Sequence, residues 1–493
     1  MPDTTQIPNS FDMIIAGGDV IDGTGGPRRR ADVGIIADRV AAVGDLSQAQ
    51  AKERVDATGL AVAPGFIDVH THDDRMVLTQ PAVAPKSSQG VTTVVTGNCG
   101  VSLAPFVPGS RAGEANPPGP MALLGTWDDY KYPTLADYNE ALEASPPAIN
   151  VASLVGHSTL RAGVMDGFER PATKAEIDAM AKVLEQSLKD GAVGLSTGLA
   201  YPTAIHAPTD EIVELAACLK DFGALYTTHM RNEGPDLVPS VDETIEIADR
   251  SGAATVISHH KCVGRENWGK SHDSLAHIKA AQQRMKLDYD VYPYTATSTI
   301  LLKDFLSTSE KTVLTSSATH PEMVGREFDS IVAEWGCSVD EAIDRLSPAG
   351  AVYFRMDEDE VRRIMAFPGA MIASDGLPID EGRPHPRLWG TFPRVLGHYC
   401  RDHGVFSLEE AVHRMSGKPA SVFGIKDRGE IRQGAFADLV VFDPKTVIDR
   451  ATFEAPETPA GGIERVYVNG ELVWFELAWT GARPGRRAER AAV

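Results

Sequence analysis

Residues 65–72 read GFIDVHTH, an apolar run that ends in two histidines separated by one residue. Seven further apolar, strand-like runs follow along the chain. Between them lie segments such as residues 175–191, AEIDAMAKVLEQSLKDG, which end in glycine and repeat their apolar residues about every 3.6 positions. The eight predicted strands are 65–72, 91–100, 149–158, 191–198, 224–231, 254–261, 287–294 and 370–376. Eight strands that alternate with helices predict an α/β fold, a (β/α)8 TIM-like barrel.

Both ends of the chain have a different character, with short strands and turn signals. Residues 11–63 contain β-rich pieces broken by glycines, and residues 463–474 contain Asn469-Gly470, a strong hairpin turn. We therefore predict one small β-sandwich domain that both chain ends build. The interval at about 295–350 is too long for a simple strand-to-helix connection and predicts an inserted lid. The predicted limits are 1–63 and 416–493 for the β-sandwich domain with its tail, and 64–415 for the catalytic barrel.

The composition argues against several kinds of partner. The formal net charge is -21, which is unfavourable for nucleic acid or an anionic membrane. The five cysteines are scattered and odd in number, so they do not form a disulfide framework. Residues 1–13 lack the basic and apolar regions of a signal peptide, and no apolar run is long enough for a bilayer span. We expect a cytoplasmic protein; its oligomeric state has no signature in the sequence.

Side chains that ligate metals stand at the ends of several predicted strands, where barrel active sites lie. Alternate residues of a strand share a face, so His70 and His72 point together, and only one of His259 and His260 points inward. A lone cysteine is most often a core residue and a lone histidine a structural one. Six donors at one end of the barrel instead predict a metal site. These donors are His70, His72, Cys99, His229, His259 and Asp375. Mixed nitrogen, sulfur and oxygen ligands suit Zn²⁺ better than Mg²⁺ or Ca²⁺.

Several short motifs resemble those of one enzyme family. HTHDD at 70–74 resembles the first-strand motif of the amidohydrolase superfamily, and GEIRQGAFADLVVFDP at 429–444 resembles the strand pair that closes its β-sandwich. Other stretches resemble more closely the zinc-dependent N-acyl-D-amino-acid deacylases of that superfamily. They are TGNCG at 96–100, GHSTLR at 156–161, THMRNEG at 228–234, ISHHK at 257–261, YPY at 292–294, SDGLP at 374–378 and HPRLWGTFPRVLG at 385–397. This resemblance implies hydrolysis of N-acyl-D-amino acids, which are small molecules, to a carboxylate and a free D-amino acid.

The resemblance also implies how the donors divide. Cys99, His229 and His259 match the ligands of a tightly held zinc, and His70, His72 and Asp375 match a second, weaker site. Many relatives bridge two metals with a carbamylated lysine. The strand at 191–198 has no lysine, so the resemblance assigns the bridging position to Cys99.

Amide hydrolysis needs a nucleophile, a group that stabilises charge and a proton carrier. Zn²⁺ can activate water and polarise the acyl carbonyl. Asp375, at the last strand end, can serve as general base and then as general acid. The free α-carboxylate of the substrate needs cationic or hydroxyl partners, for which the candidates are Lys261, Tyr292, Ser298 and Arg387.

The side-chain pocket is expected to be apolar. Tyr353 and Met356, after the inserted segment, are its candidate lining residues. Apart from the carboxylate-binding set, no second cation is evident at a strand end, so neutral D side chains are predicted. Arg355 is the one further cation that could bind an acidic side chain, but alternation along a strand should turn it away from the face of Tyr353 and Met356.

Two other hypotheses remain. One is a different amidohydrolase reaction, such as the opening of a cyclic amide of the hydantoin or dihydroorotate type. The absent bridging lysine and the HPRLWG stretch at 385–390 argue against it. The other is a non-catalytic scaffold that kept the fold, which would have eroded ligands, whereas all six donors are intact.

Overall fold

The computed structural model describes residues 8–107, 111 and 113–491 of the chain. Residues 1–7, on which the expectation of no signal peptide partly rests, lie outside the described residues. Within these ranges no helix is both long enough and apolar enough to cross a bilayer.

Strands and helices are numbered here in chain order. The strands are β1 Ser10–Val20, β2 Arg29–Ile36, β3 Arg39–Gly44, β4 Gln50–Asp56, β5 Ala61–Pro64, β6 Phe66–Asp68, β7 Val91–Thr96, β8 Asn150–Gly156, β9 Gly194–Gly198, β10 Leu225–His229, β11 Ala254–Ile257, β12 Leu287–Val291, β13 Ala296–Ile300, β14 Lys311–Ser317, β15 Ala349–Phe354, β16 Ala370–Ile372, β17 Leu439–Phe442, β18 Ile463–Val468, β19 Glu471–Phe475 and β20 Ala478–Trp479. The α-helices are α1 Met76–Thr79, α2 Ala84–Ser87, α3 Leu135–Ala144, α4 His157–Val164, α5 Lys174–Lys189, α6 Thr209–Ala217, α7 Leu237–Ser251, α8 Ser271–Gln282, α9 Lys303–Ser307, α10 Phe328–Trp335, α11 Val339–Leu346, α12 Glu358–Ala366, α13 Arg387–Arg394, α14 Leu408–Met415 and α15 Gly417–Phe423.

Eight parallel strands form the barrel. Their order is β16-β12-β11-β10-β9-β8-β7-β6, and each overlaps one of the predicted strands. The two end strands are joined just beyond their last residues, where the Asp375 N–H donates to the His70 carbonyl at 2.8 Å and the His72 N–H to the Gly376 carbonyl at 2.9 Å. Helices cover the outer face, so strands such as β7 and β8 are buried throughout and have continuous apolar runs. The predicted barrel is confirmed.

Both chain ends contribute to a separate sheet. Its order is β20-β19-β18-β17-β5-β1-β2-β3, with β4 beside β1, and most of its strand pairs are antiparallel. The predicted hairpin at Asn469-Gly470 joins β18 to β19. The sheet domain built from both ends is therefore confirmed, while the residue limits 1–63, 64–415 and 416–493 stay predictions.

An inserted segment follows barrel strand β12. Strands β13 to β15 form a small antiparallel sheet in the order β13-β15-β14, and helices α9 to α11 pack on it. This unit has its own apolar core, which includes Leu314, Phe328, Ile331 and Tyr353. It occupies the position of the predicted lid and brings β13 to the barrel opening.

A buried polar network joins the sheet domain to the barrel. Asp438, just before β17, forms an ion pair with Arg428 and accepts from the side chain of Asn150 at 3.2 Å and from the N–H of Asn469 at 2.7 Å. Asn150 begins barrel strand β8, and Asn469 lies in the β18–β19 hairpin. This network therefore fixes the position of the hairpin against the barrel.

We expect Asp438→Ala to lower the free energy of unfolding by about 3–5 kcal/mol, because the buried Arg428 would lose its carboxylate. A urea titration followed by circular dichroism measures the change. Glu464→Ala, at an exposed position of β18, is the control and should stay within about 0.5 kcal/mol of the parent. Equal stability of the two variants would show that the network does not hold the domains together.

Candidate metal centre

The barrel strands bring the six predicted metal donors to one place. Their ligand atoms form two groups that share Cys99: one with His229 and His259, the other with His70, His72 and Asp375. The Cys99 Sγ lies 3.2 Å from His70 Nε2 and 3.4 Å from His259 Nε2. Asp375 Oδ1 lies 3.4 Å from His70 Nε2 and 3.3 Å from His72 Nε2. This is the cluster expected from the strand ends.

The backbone at the donors is unusual. Cys99, His259 and Asp375 have positive φ angles of 51°, 38° and 49°, a conformation that costs free energy for residues other than glycine. At Gly97, before Cys99, a Cβ would lie 2.2 Å from the Leu154 carbonyl oxygen, so only glycine fits there. The loop after β7 therefore turns tightly against the neighbouring strand, and this turn aims the thiol into the barrel.

The charges of the cluster favour an ionised sulfur and an ionised carboxylate. Burial alone would raise the pKa of the Cys99 thiol, but the adjacent imidazoles of His70 and His259 hold it well below its usual value. Burial also opposes ionisation of Asp375, yet Arg387 and the same two histidines hold the pKa of Asp375 well below its usual value. A thiolate and a carboxylate are the forms that bind a metal cation.

Several buried nitrogens of the cluster have no hydrogen-bond partner among the described residues. They are both ring nitrogens of His229 and the Nδ1 of His72. Because buried polar atoms are normally satisfied, these nitrogens indicate a missing partner. Imidazole, thiolate and carboxylate together form a donor set that zinc accepts, so the residues fit a zinc ion.

Two acids that the sequence analysis missed hold the histidines in place. Asp290, on β12, accepts from the His259 N–H at 2.8 Å and lies 3.4 Å from His70 Nδ1. Glu233, after β10, lies 3.1 Å from His259 Nδ1. Such partners orient imidazoles toward a metal. Both acids stand inside the stretches LDYDVYPY and THMRNEG, but only their spatial position shows what they contact.

The predicted cations of the substrate site are paired with buried acids. Lys261 forms an ion pair with Glu233 and also contacts His259 Nδ1 at 2.7 Å. Arg387, at the start of α13, lies 3.0 Å from Asp375 Oδ2 and donates to the Ser298 carbonyl at 3.1 Å. Its Nε and Nη1 have no partner among the residues that the structure covers.

Of the remaining predicted substrate residues, two line the pocket and two lie behind its wall. Tyr292 and Ser298 line the pocket beside the metal donors, and the Ser298 hydroxyl has no protein partner in the described part of the chain. Met356 lies behind Tyr292, whose hydroxyl contacts its sulfur at 3.8 Å. Tyr353 instead faces the core of the inserted segment and hydrogen-bonds to the Leu302 N–H at 2.8 Å.

Arg355 does not turn away from the site, contrary to the sequence expectation. That expectation misapplied the alternation rule, because residues i and i+2 of a strand share a face and Arg355 therefore lies on the side of Tyr353. Its guanidinium carbon is 5.7 Å from the centre of the Tyr353 ring. The side chain of Arg355 lines the same pocket as Cys99 and lies against Phe305 of the inserted segment.

The pocket itself is small. Its volume is about 20 Å³, which is space for about one water molecule. Thr297, Ser298, Thr299 and Phe305, all from the inserted segment, line it together with the metal donors. A molecule larger than water therefore fits beside the donors only if lining side chains shift.

Comparison with known proteins identifies the family. The sequence model of the Amidohydrolase family matches residues 53–325 and 331–474, which is most of the chain. This chain belongs to the amidohydrolase family. Its predicted resemblance to that family is confirmed.

Known relatives span nearly the whole of this amidohydrolase. D-aminoacylase of Alcaligenes xylosoxydans xylosoxydans is 52% identical over 483 residues, which cover 98% of each chain. N-acyl-D-glutamate deacylase of the same organism is 50% identical over 485 residues, 98% of this chain and 97% of the relative. The crystal structure of N-acyl-D-glutamate deacylase from Bordetella bronchiseptica, complexed with zinc and a phosphonate mimic of the tetrahedral intermediate, has a TM-score of 0.93 at 46% identity. It covers 98% of this amidohydrolase and 100% of that chain.

Proposed function

We propose that this amidohydrolase is a zinc-dependent N-acyl-D-amino-acid deacylase. It adds water across a linear amide and releases a carboxylate and a free D-amino acid. The observation that carries this proposal is the pair of donor groups that share Cys99 in a small pocket lined also by Lys261 and Arg355. The full-length similarity to D-aminoacylase and to N-acyl-D-glutamate deacylase supports it.

The two donor groups would hold the metal with different strength. Cys99, His229 and His259 would hold the tight Zn²⁺, and His70, His72 and Asp375 would form a second, weaker site that shares the Cys99 sulfur. Bound Zn²⁺ would supply Lewis-acid activation of water and of the acyl carbonyl. Asp290 and Glu233 would keep the imidazoles oriented.

Asp375 is the proposed proton carrier. It takes a proton from the attacking water as that oxygen bonds to the acyl carbon, and it delivers the proton to the amine as the C–N bond breaks. The Arg387 guanidinium, 3.0 Å from Oδ2, keeps the carboxylate ionised before the reaction and fixes its orientation. The Oδ1 atom remains directed at the histidines.

The substrate α-carboxylate would bind among Lys261, Tyr292, Ser298 and Arg387. Arg387 has two unpaired N–H groups, and Ser298 has a free hydroxyl, counted over the described residues. Lys261 is already positioned by Glu233. A charged donor paired with a carboxylate in a buried pocket gives strong, directional binding. Met356, behind Tyr292, and Tyr353, in the core of the inserted segment, would shape the wall of the side-chain pocket.

A panel of N-acetyl-D- and N-acetyl-L-amino acids, assayed with the zinc-loaded protein, tests the proposal. We expect hydrolysis of D derivatives and little hydrolysis of their L enantiomers, because the carboxylate site, the metal and the wall of the side-chain pocket would fix three of the substituents on the α-carbon. Removal of zinc with a chelator should abolish activity, and added zinc should restore it. Equal rates for both enantiomers, or turnover of a hydantoin instead, would contradict the proposal.

We also propose a reducing compartment, the cytoplasm, for this enzyme. All five cysteines are free thiols in the structure. Its proposed partner is the small-molecule substrate. The net charge of -21 supports neither nucleic acid nor an anionic membrane as a partner.

A further inference from the structure

One cation in the pocket forms no ion pair within the described part of the chain. Arg355 is only 4% exposed, and its side chain lines the pocket that also contains Cys99, His259 and Asp375. Its Nε has no hydrogen-bond partner, and no acid in the described ranges forms an ion pair with it. The guanidinium carbon lies 3.8 Å from the centre of the Phe305 ring. The ring packs on the flat face of the guanidinium but provides no hydrogen-bond acceptor for its N–H groups.

The neighbouring carboxylates already form ion pairs with other residues. Glu233 is bound by Lys261 and His259, and Asp375 is bound by Arg387 and two histidines. Lys261 and Arg387 therefore each have an acid of their own. Arg355 is the cation for which the described part of the chain supplies none. A buried, unpaired charge is unfavourable, and proteins keep such groups where a ligand supplies the partner.

We infer that Arg355 binds a carboxylate on the side chain of the substrate. The preferred substrates are then N-acyl derivatives of acidic D-amino acids, D-glutamate or D-aspartate. This inference rests on the proposed deacylase function. A guanidinium offers two parallel N–H donors, which match the two oxygens of a carboxylate.

Arg355 enters the pocket from a different element of the fold than Lys261 and Arg387 do. Arg387 contacts Asp375 and the Ser298 carbonyl, and Lys261 contacts His259, so these two cations lie directly beside the metal donors. Arg355 instead follows β15 and contacts Phe305 of the inserted segment. A substrate whose single carboxylate binds at Lys261 and Arg387 would leave Arg355 without a partner, whereas a dicarboxylate would also supply one to Arg355.

The expectation of neutral apolar side chains rested on the absence of a second cation in the pocket. The location of Arg355 contradicts that premise. Phe305 of the inserted segment does line the pocket, but Arg355 lies on its ring.

The experiment compares kcat/KM for N-acetyl-D-glutamate and for N-acetyl-D-glutamine, which has nearly the same shape and no charge. We expect the parent enzyme to prefer the glutamate derivative by about 100-fold. Arg355→Met should lower kcat/KM for the glutamate derivative by about 100-fold and change that for the glutamine and methionine derivatives by less than about threefold. Arg355→Lys, which keeps the charge, should retain part of the preference.

Arg345→Met is the matched control, because Arg345 belongs to the same inserted segment but is exposed and pairs with Glu341. It should keep the parent's preference. A parent enzyme that prefers the glutamine or methionine derivative would overturn the inference and leave the deacylase function standing. If Arg355→Met lowered kcat/KM equally for all substrates, Arg355 would bind the α-carboxylate instead. That result would also overturn the inference. Failure to hydrolyse any N-acyl-D-amino acid would overturn both proposals.

Discussion

Cys99→Ala is expected to lose the tightly bound zinc and, with it, all measurable deacylase activity. The Cys99 sulfur is the one donor common to both groups, so its removal leaves two ligands in the first group and three in the second. Zinc sites in proteins need at least three protein ligands, and thiolate is among the strongest of them. Metal analysis of the purified variant, together with the rate of N-acyl-D-amino acid hydrolysis, measures both effects.

Cys262→Ala is the matched control, because Cys262 is also fully buried but has no metal donor around it. Burial raises the pKa of its thiol to about 12, and the thiol donates to the Asn267 carbonyl at 3.0 Å. We expect this variant to keep the zinc content and activity of the parent. If Cys99→Ala retained the same zinc content, the assignment of Cys99 as a ligand would be wrong.

Asp375→Asn should keep the tight zinc and lose about 10²–10⁴-fold or more in kcat, the usual contribution of a general acid–base group. The tight site is assigned to Cys99, His229 and His259, so it does not need the carboxylate. An amide has the same shape but cannot accept the proton from water. Single-turnover rates and zinc content of the variant are the measurements.

Asp380→Asn serves as its control, since Asp380 follows the same barrel strand but is exposed and pairs with Arg75. Its kcat should match that of the parent. Because Asp375→Asn leaves Arg387 without a charged partner, the thermal unfolding of the variant must also be recorded. A folded, zinc-loaded Asp375→Asn with near-normal kcat would exclude Asp375 as the proton carrier.

Much of the architecture follows from local patterns. Strands buried on both faces have continuous apolar runs, and the helices between them have a 3.6-residue period, so β7 and α5 were predictable from neighbouring residues alone. The hairpin at Asn469-Gly470 follows from turn chemistry. The metal cluster was also predictable, because parallel barrel strands place their carboxyl ends at one rim.

Other features depend on distant parts of the chain. Asp290 and Glu233 look like ordinary acids until the barrel closes and places them against His259. The sequence analysis placed Arg355 by strand alternation and was wrong, because residues i and i+2 share a face and Arg355 therefore lies on the side of Tyr353. Only the packing of the inserted segment places both side chains against Phe305.

The sequence by itself determined the barrel, the sheet domain from both chain ends, the inserted segment and the six candidate metal donors that the strand ends bring together. Those properties follow from hydrophobic periodicity and from the residue types at strand ends. Both are local patterns that neighbouring residues in the chain determine. Only the tertiary structure decided which acids pair with Lys261 and Arg387, and that Arg355 is left without one. Ion pairing depends on distances between residues that are far apart in the chain, and those distances exist only after the barrel and the inserted segment have packed together.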